Sequence, residues 1–219
     1  MQNIPRIYIN DSIKTGQIVS VDKDIVHYLH RVMRRNDCLV FNDGIEFSAV
    51  LSEDGKSLIV KEQTNHTDPS NNLTLCFAPI KKLDDLLNMA TQMGVGYLQP
   101  VITERTVANH INWNRMKKII IEAAEQSNRN SIPKLLEPIK FADLDFNNLV
   151  VADERFAHDK GYESSQIRLD KILVGPEGGF SLKEFEKLDA ANVAKISLGK
   201  TILRAEVAAV VAIARVLDK

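Results

Sequence analysis

Apolar and polar positions change their period partway along the chain. Up to residue 61, short runs rich in β-branched and aromatic side chains dominate: Arg6–Asn10, Gln17–Val19, Cys38–Phe41, Phe47–Leu51 and Ser57–Lys61. Such runs predict strands. Asn42-Asp43-Gly44 and Glu53-Asp54-Gly55 supply turn residues between the last three. One stretch departs from this pattern. Ile25, Val26, Leu29, Val32 and Met33 share one face at helical period, with Asp22 as a fitting N-cap, and predict a single helix. The segment Gln63–Asn72, QTNHTDPSNN, then runs ten residues without an aliphatic or aromatic side chain and carries Pro69. It reads as a linker. The expected division is a small β-barrel-like domain over 1–66, a linker over 67–72 and a second domain over 73–219.

Beyond the linker, strand-like runs alternate with helical stripes. Leu73–Ala78, Tyr97–Ile102, Leu149–Ala152, Lys171–Val174 and Ile196–Leu198 predict strands. Leu83, Leu86, Leu87, Ala90 and Met93 predict a helix stopped at Gly94, and Trp113–Ser127 a second. Ser181–Ala190 opens with a capping box, Ser181 with Glu184, and Ala205–Leu217 forms the last helix. Strands alternating with helices indicate an α/β class, a mostly parallel sheet covered on both faces.

Composition narrows the function classes. Of 219 residues 44% are hydrophobic and 26% charged, as in a folded globular chain. Lys and Arg number 28 against 29 Asp and Glu, so nothing in the total announces a nucleic-acid binder and the balance points to a small-molecule enzyme. The two cysteines, Cys38 and Cys76, form no CxxC pair, which disfavours a disulfide scaffold or a structural zinc site. The longest apolar run, Val207 to Ala214, is far short of the roughly 20 residues that cross a membrane. The start, MQNIPRIYIN, carries no apolar core of a secretory leader. The expectation is a cytoplasmic protein without membrane or metal.

Two loops carry the candidate chemistry, each at the carboxyl end of a predicted strand, where open α/β sheets hold ligands. The first, Val174-Gly175-Pro176-Glu177-Gly178-Gly179-Phe180, has three glycines in five residues but matches neither a dinucleotide fingerprint nor a Walker loop. The second runs from Ser197-Leu198-Gly199 through Ile202-Leu203 to Arg204 and Glu206 at the mouth of the last helix. A glutamate there suits the helix dipole, whereas an arginine runs against it and favours function.

Together these strings resemble the RsmE-type 16S ribosomal RNA uridine-N3 methyltransferases of the SPOUT superfamily. The resemblance is distributed over nearly the whole chain. It begins with Ile4-Pro5-Arg6-Ile7-Tyr8, His27-Tyr28-Leu29, Val32-Met33-Arg34 and Phe41-Asn42-Asp43-Gly44. It continues through Ala90-Thr91, Gly94-Val95, Pro100, Thr103-Glu104-Arg105 and Glu125-Gln126-Ser127-Asn128-Arg129 to the two loops. Met89, Gln92, Thr201 and Val207 depart from the family pattern. The resemblance implies a PUA-like barrel followed by a trefoil-knotted α/β domain, a homodimer, and S-adenosyl-L-methionine as methyl donor. Val174, Gly175, Glu177, Gly178, Gly179, Ser197, Leu198, Gly199, Ile202 and Leu203 would hold that donor. Aliphatic walls with glycine backbone suit an adenine pocket.

Methylating uracil N3 requires removal of its proton, and the anion that develops needs a cation. Glu206 is the candidate base, or the group that orients Arg204, and Arg204 the candidate anion stabiliser or phosphate grip. RNA contact is expected from Arg6, from Arg31, Arg34 and Arg35 with His27 and His30, and from the stretch Arg105 to Lys134 that includes Arg129. His27 and His30 have no third metal ligand nearby, so a metal site is disfavoured. Two alternatives stand beside this expectation: a SPOUT enzyme with another RNA target, and a non-catalytic ribosome-assembly factor that keeps the fold.

Overall fold

The computed structural model describes residues 4–68, 71–107, 112–156 and 169–217. Pro69 and Ser70, within the expected linker, lie outside the described residues. The chain divides into two compact units, Met1–Ser70 with Ile121–Ile132, and Asn71–Ile120 with Pro133–Lys219. Residues 121–132 therefore group with the N-terminal unit, which a division at the linker alone does not anticipate.

The first unit is a five-stranded curled sheet. Its strands are β1 (Arg6–Tyr8), β2 (Ile18–Ser20), β3 (Asp37–Asn42), β4 (Ile45–Leu51) and β5 (Ser57–Gln63), in the order β1-β3-β4-β5-β2. Asp43 and Gly44 both adopt positive φ, 48° and 81°, as a two-residue hairpin joining β3 to β4 requires. Between the pairs Phe47–Gln63 and Ala49–Val60 the register shifts, with one extra residue in β5. Ile7, Leu29, Val40, Phe47, Leu58 and Val60 fill the interior of this sheet.

The helix expected around Ile25–Met33 forms only in part. Asp22 caps α1 (Lys23–His27) by accepting from the amides of Asp24 and Ile25 at 3.0 and 2.9 Å. From Tyr28 to Met33 the turns widen to π geometry and end at Arg34 in the left-handed region. The wider turn moves Val32 off the buried stripe, so it is exposed while Leu29 stays fully buried.

The second unit is a parallel sheet. Its strands are β6 (Thr74–Phe77), β7 (Tyr97–Ile102), β8 (Lys134–Leu135), β9 (Ile139–Lys140), β10 (Leu149–Ala152), β11 (Lys171–Val174) and β12 (Ala194–Ile196). They run in the order β12-β10-β11-β6-β7-β8, with β9 pairing further along β7. The apolar runs of β6, β10 and β11 are buried, as strands covered on both faces must be. Helices α2 (Leu83–Gln92), α3 (Trp113–Gln126), α4 (Leu182–Ala190) and α5 (Ala205–Leu217) complete the order. The capping box at α4 is formed as expected: Ser181 Oγ accepts from the Glu184 amide, and Glu184 Oε2 from the Ser181 amide. One strand sits earlier than expected. Ala194–Ile196 replaces Ile196–Leu198, because the chain leaves the sheet at Ser197 to enter the second loop. No helix among the described residues is long and apolar enough to cross a membrane.

Candidate active site

The parallel strands β6, β10, β11 and β12 end on one side, and the segments that leave them enclose a cavity of about 740 Å³. Lys81 and Lys82 come from the segment after β6, Asp153 and Glu154 from after β10, Gly175 to Phe180 from after β11, and Leu198, Gly199 and Thr201 to Arg204 from after β12. The first turn of α5 closes the cavity with Ala205, Glu206 and Ala208. The two loops singled out in the sequence thus form opposite parts of one wall set. Of the expected cofactor residues, Val174, Gly175, Glu177, Gly178, Gly179, Leu198, Gly199, Ile202 and Leu203 line the cavity. Ser197 is buried just behind it and accepts from the Gly199 amide at 3.4 Å.

The glycine-rich loop is shaped by what surrounds it. Gly179 has φ of 66°, a conformation that favours glycine, and a Cβ there would stand 2.7 Å from Glu154 Oε1, so that side chain would have to move aside. The Glu177 carboxylate accepts from the Lys81 amide at 2.9 Å and joins this loop to the segment after β6.

Glu206 is buried, only 6% exposed, in the first turn of α5. Lys82 Nζ stands 3.9 Å from its Oε1, and the same ammonium is 3.9 Å from Asp85. The carboxylate thus stands at the amide end of α5 with an ammonium nearby. Arg204, two residues earlier, lines the cavity with its side chain exposed. Thr201, one of the departures from the family pattern, also lines it, and Val207 projects outward with 41% exposure. Neither cysteine lines the cavity. Both thiols are buried, and that burial pushes each up to about 12.

Four lining residues are not singled out by the sequence: Lys81, Lys82, Asp153 and Glu154. Their signal is positional, since each lies within four residues of the end of a predicted strand. Asp153 is fully buried and accepts from Arg155 Nε at 3.0 Å and Nη2 at 2.7 Å. Arg155 also lies 3.8 Å over the Phe185 ring and pairs with Asp189. Hydrogen bonds from Arg155 and Lys195 hold the Asp189 carboxyl down at about 2.

The expected RNA-contacting arginines separate into three groups. Arg6 and Arg129 are interior residues, 7% and 6% exposed. Arg6 Nη1 donates to Glu46 Oε2 and Asn128 Oδ1, both at 2.6 Å. Its Nη2 donates to the Arg129 carbonyl at 2.7 Å and to Asn130 Oδ1 at 2.8 Å, and the guanidinium lies 4.7 Å over the Phe41 ring. Arg129 faces Asp68 at 3.4 Å. A phosphate would have to displace these partners, so both arginines organise the N-terminal unit. Arg105 instead lies on the glycine-rich loop and donates to the Gly178 carbonyl at 2.9 Å. Arg31 and Arg34 are exposed, while Arg35 forms a two-point pair with Asp37 at 2.9 and 2.6 Å. Arg31, His27 and His30 line a cleft of about 440 Å³ together with Lys23 and Lys56.

A family model described as an RNA methyltransferase domain matches residues 67–217. The ribosomal RNA small subunit methyltransferase E of Rickettsia conorii is 38% identical, over 96% of this chain and 94% of its own. The protein of the same name from Buchnera aphidicola subsp. Acyrthosiphon pisum is 31% identical, over 97% and 92%. The crystal structure of a ribosomal RNA small subunit methyltransferase E from Neisseria gonorrhoeae, bound to S-adenosyl methionine, is similar with a TM-score of 0.86. It is 26% identical in sequence, and the match covers 98% of this chain and 97% of that one.

Proposed function

Because the chain belongs to the ribosomal RNA small subunit methyltransferase E family, we propose that its target is N3 of a uridine in 16S ribosomal RNA and that the cavity around Glu206 is its active site. It is an S-adenosylmethionine-dependent RNA methyltransferase of the SPOUT-type α/β class, with a PUA-like N-terminal barrel. The observation that carries the site assignment is the convergence of both loops and the buried Glu206 on one cavity.

The cavity suits the donor. Its volume lies within the roughly 300–1,000 Å³ of small-molecule sites. Val174, Leu198, Ile202 and Leu203 provide apolar walls and the glycines close backbone approach, while Glu154, Glu177 and Glu206 complement a cationic ligand. The donor supplies an electrophilic methyl group on a sulfonium. The protein's part is to prepare the uracil. Its N3–H is a poor nucleophile, and Glu206 accepts the proton while Arg204 stabilises the negative charge that develops over O2 and O4. N3 is also a Watson–Crick atom, so the uridine must be unpaired or turned out of its helix to reach Glu206.

Arg31 and Arg34, with His27, His30, Lys23 and Lys56 around the N-terminal cleft, are the proposed phosphate contacts. A second copy of the chain is the proposed partner of α5 and its preceding loop, where Val207 and Ile202 are 41% and 89% exposed. The proposed setting is cytoplasmic, where ribosomal RNA is made. The test is mass mapping of 16S ribosomal RNA from a deletion strain, with and without the gene restored. One uridine should lose and regain a methyl group at N3; an unchanged uridine pattern would overturn the proposal.

A further inference from the structure

The turn after β7 is fastened to both ends of the second half of the glycine-rich loop. It is itself closed tightly: the Thr106 amide donates to the Thr103 carbonyl at 3.2 Å, and the Thr103 amide to Thr106 Oγ1 at 2.9 Å. Its first tie is the Glu104 amide, which donates to Glu184 Oε1 at 2.9 Å. Glu184 is the buried carboxylate of the α4 capping box, and its other oxygen accepts from Ser181, the residue that follows the loop's last position, Phe180. The second tie is Arg105, whose Nη1 donates to the Gly178 carbonyl at 2.9 Å. The arginine stem runs alongside as well, since a Cβ built on Gly178 would meet its Cβ and Cδ at 3.6 and 3.7 Å.

The topology makes these ties informative. Strand β6 lies between β7 and β11, so the turn reaches across the end of one strand to hold the loop that leaves the next. The loop holds itself by one turn, the Gly179 amide donating to the Pro176 carbonyl at 2.9 Å, and by Glu177 at the Lys81 amide. Gly178 and Gly179 carry no side chain to pack, and glycine loses the most backbone freedom when ordered. A guanidinium held by a closed turn supplies an external anchor at the loop's middle.

We propose that Arg105 is a positioning residue that fixes the glycine-rich loop in its cofactor-binding form, and that it is not a phosphate contact. This rests on the proposed role of that loop as a wall of the cofactor site. The experiment uses the full chain and isothermal titration with S-adenosylmethionine, alongside steady-state kinetics on small-subunit RNA. Arg105→Ala should bind S-adenosylmethionine about tenfold more weakly, the loss expected for one charge-assisted hydrogen bond. It should raise KM for the donor while KM for RNA stays within about twofold and the unfolding midpoint is unchanged. Arg105→Lys should recover part of the affinity, because an ammonium on a similar stem can donate to the same carbonyl. Unchanged donor affinity with weaker, less salt-dependent RNA binding would overturn the proposal and make Arg105 an RNA contact. Gly179→Ala separates the two levels. If it weakens donor binding and Arg105→Ala does not, the anchoring role fails alone. If it leaves donor binding intact, the loop is not a cofactor wall and both readings fall.

Discussion

Glu46 and Glu206 are both buried carboxylates with a cation opposite, and they are held in different ways. Glu46 receives Arg6 at 2.6 Å and the Thr64 hydroxyl at 2.7 Å, and the same guanidinium is shared with Asn128, Asn130 and the Arg129 carbonyl. Every contact lies within hydrogen-bond distance. Glu206 faces Lys82 at 3.9 Å, beyond hydrogen-bond distance, and lines a cavity of about 740 Å³. A buried charge is tolerated only when neighbours compensate it. At Glu46 the compensation is direct and complete, which makes a structural node. At Glu206 it comes from a helix end and a nearby ammonium, which leaves the carboxylate oxygens free to meet a ligand.

Four variants probe that contrast, in falling order of effect. Glu206→Gln keeps the size of the side chain and removes the base. Methyl transfer should fall by about a thousandfold, within the range for a general base, while donor affinity and unfolding midpoint hold. Retained activity at every pH would remove Glu206 from the chemistry. Arg6→Ala should do the reverse, lowering stability by about 3 kcal/mol in urea unfolding, since it strands Glu46 without its partner. The cavity of the other unit should still bind S-adenosylmethionine under conditions where the variant is folded. Reversing Arg31 and Arg34 to Glu should weaken RNA binding about tenfold and reduce its salt dependence, because exposed arginines act on phosphates through charge alone. A loss of donor binding in that variant would point to misfolding instead.

The smallest effect concerns Glu125, which accepts from the Tyr8 amide at 3.0 Å. Burial pushes its carboxyl up, against the pull of the Tyr8 hydrogen bond, with Glu122 adding to the rise. An acid with a higher pKa folded than unfolded loses stability as pH rises from its unfolded value, about 4.3, through its folded one. Glu125→Gln keeps an acceptor for Tyr8 without the charge. Its stability relative to the parent should therefore be more favourable at pH 8 than at pH 4. A difference independent of pH would show that the carboxylate carries no burial penalty.

Periodicity in the sequence carries the second unit well. Leu149–Ala152 and Lys171–Val174 stand out as apolar runs because both faces of those strands are covered, and the Ser181–Glu184 box marks where α4 begins. The two-residue strands Lys134–Leu135 and Ile139–Lys140 are too short to show any period, and they exist only because β7 offers its edge. The widened turn at Tyr28–Met33 is likewise invisible in the pattern, since the same apolar residues would suit a regular helix. Both loops of the candidate site are legible as glycine-bearing segments after strands. Lys82 and Asp153 are not, because only the strand order brings the ends of β6 and β10 beside β11. Arg6 shows how far along the chain an arginine's partners can lie. An arginine in a recognisable motif suggests a ligand contact, yet its partners Asn128 and Asn130 lie more than a hundred positions away along the chain.

The membership of residues 121–132 in the N-terminal unit has a consequence for how the protein is made. A chain is synthesised from its N-terminus, and domains tend to fold as they emerge. Here the nascent barrel carries Arg6 and Glu46 from the start, but Asn128, Arg129 and Asn130 arrive only after β6, α2 and β7 have been translated. The first unit to appear is therefore among the last to be finished, and cutting the gene at the linker would yield a barrel that lacks the residues that complete its arginine node.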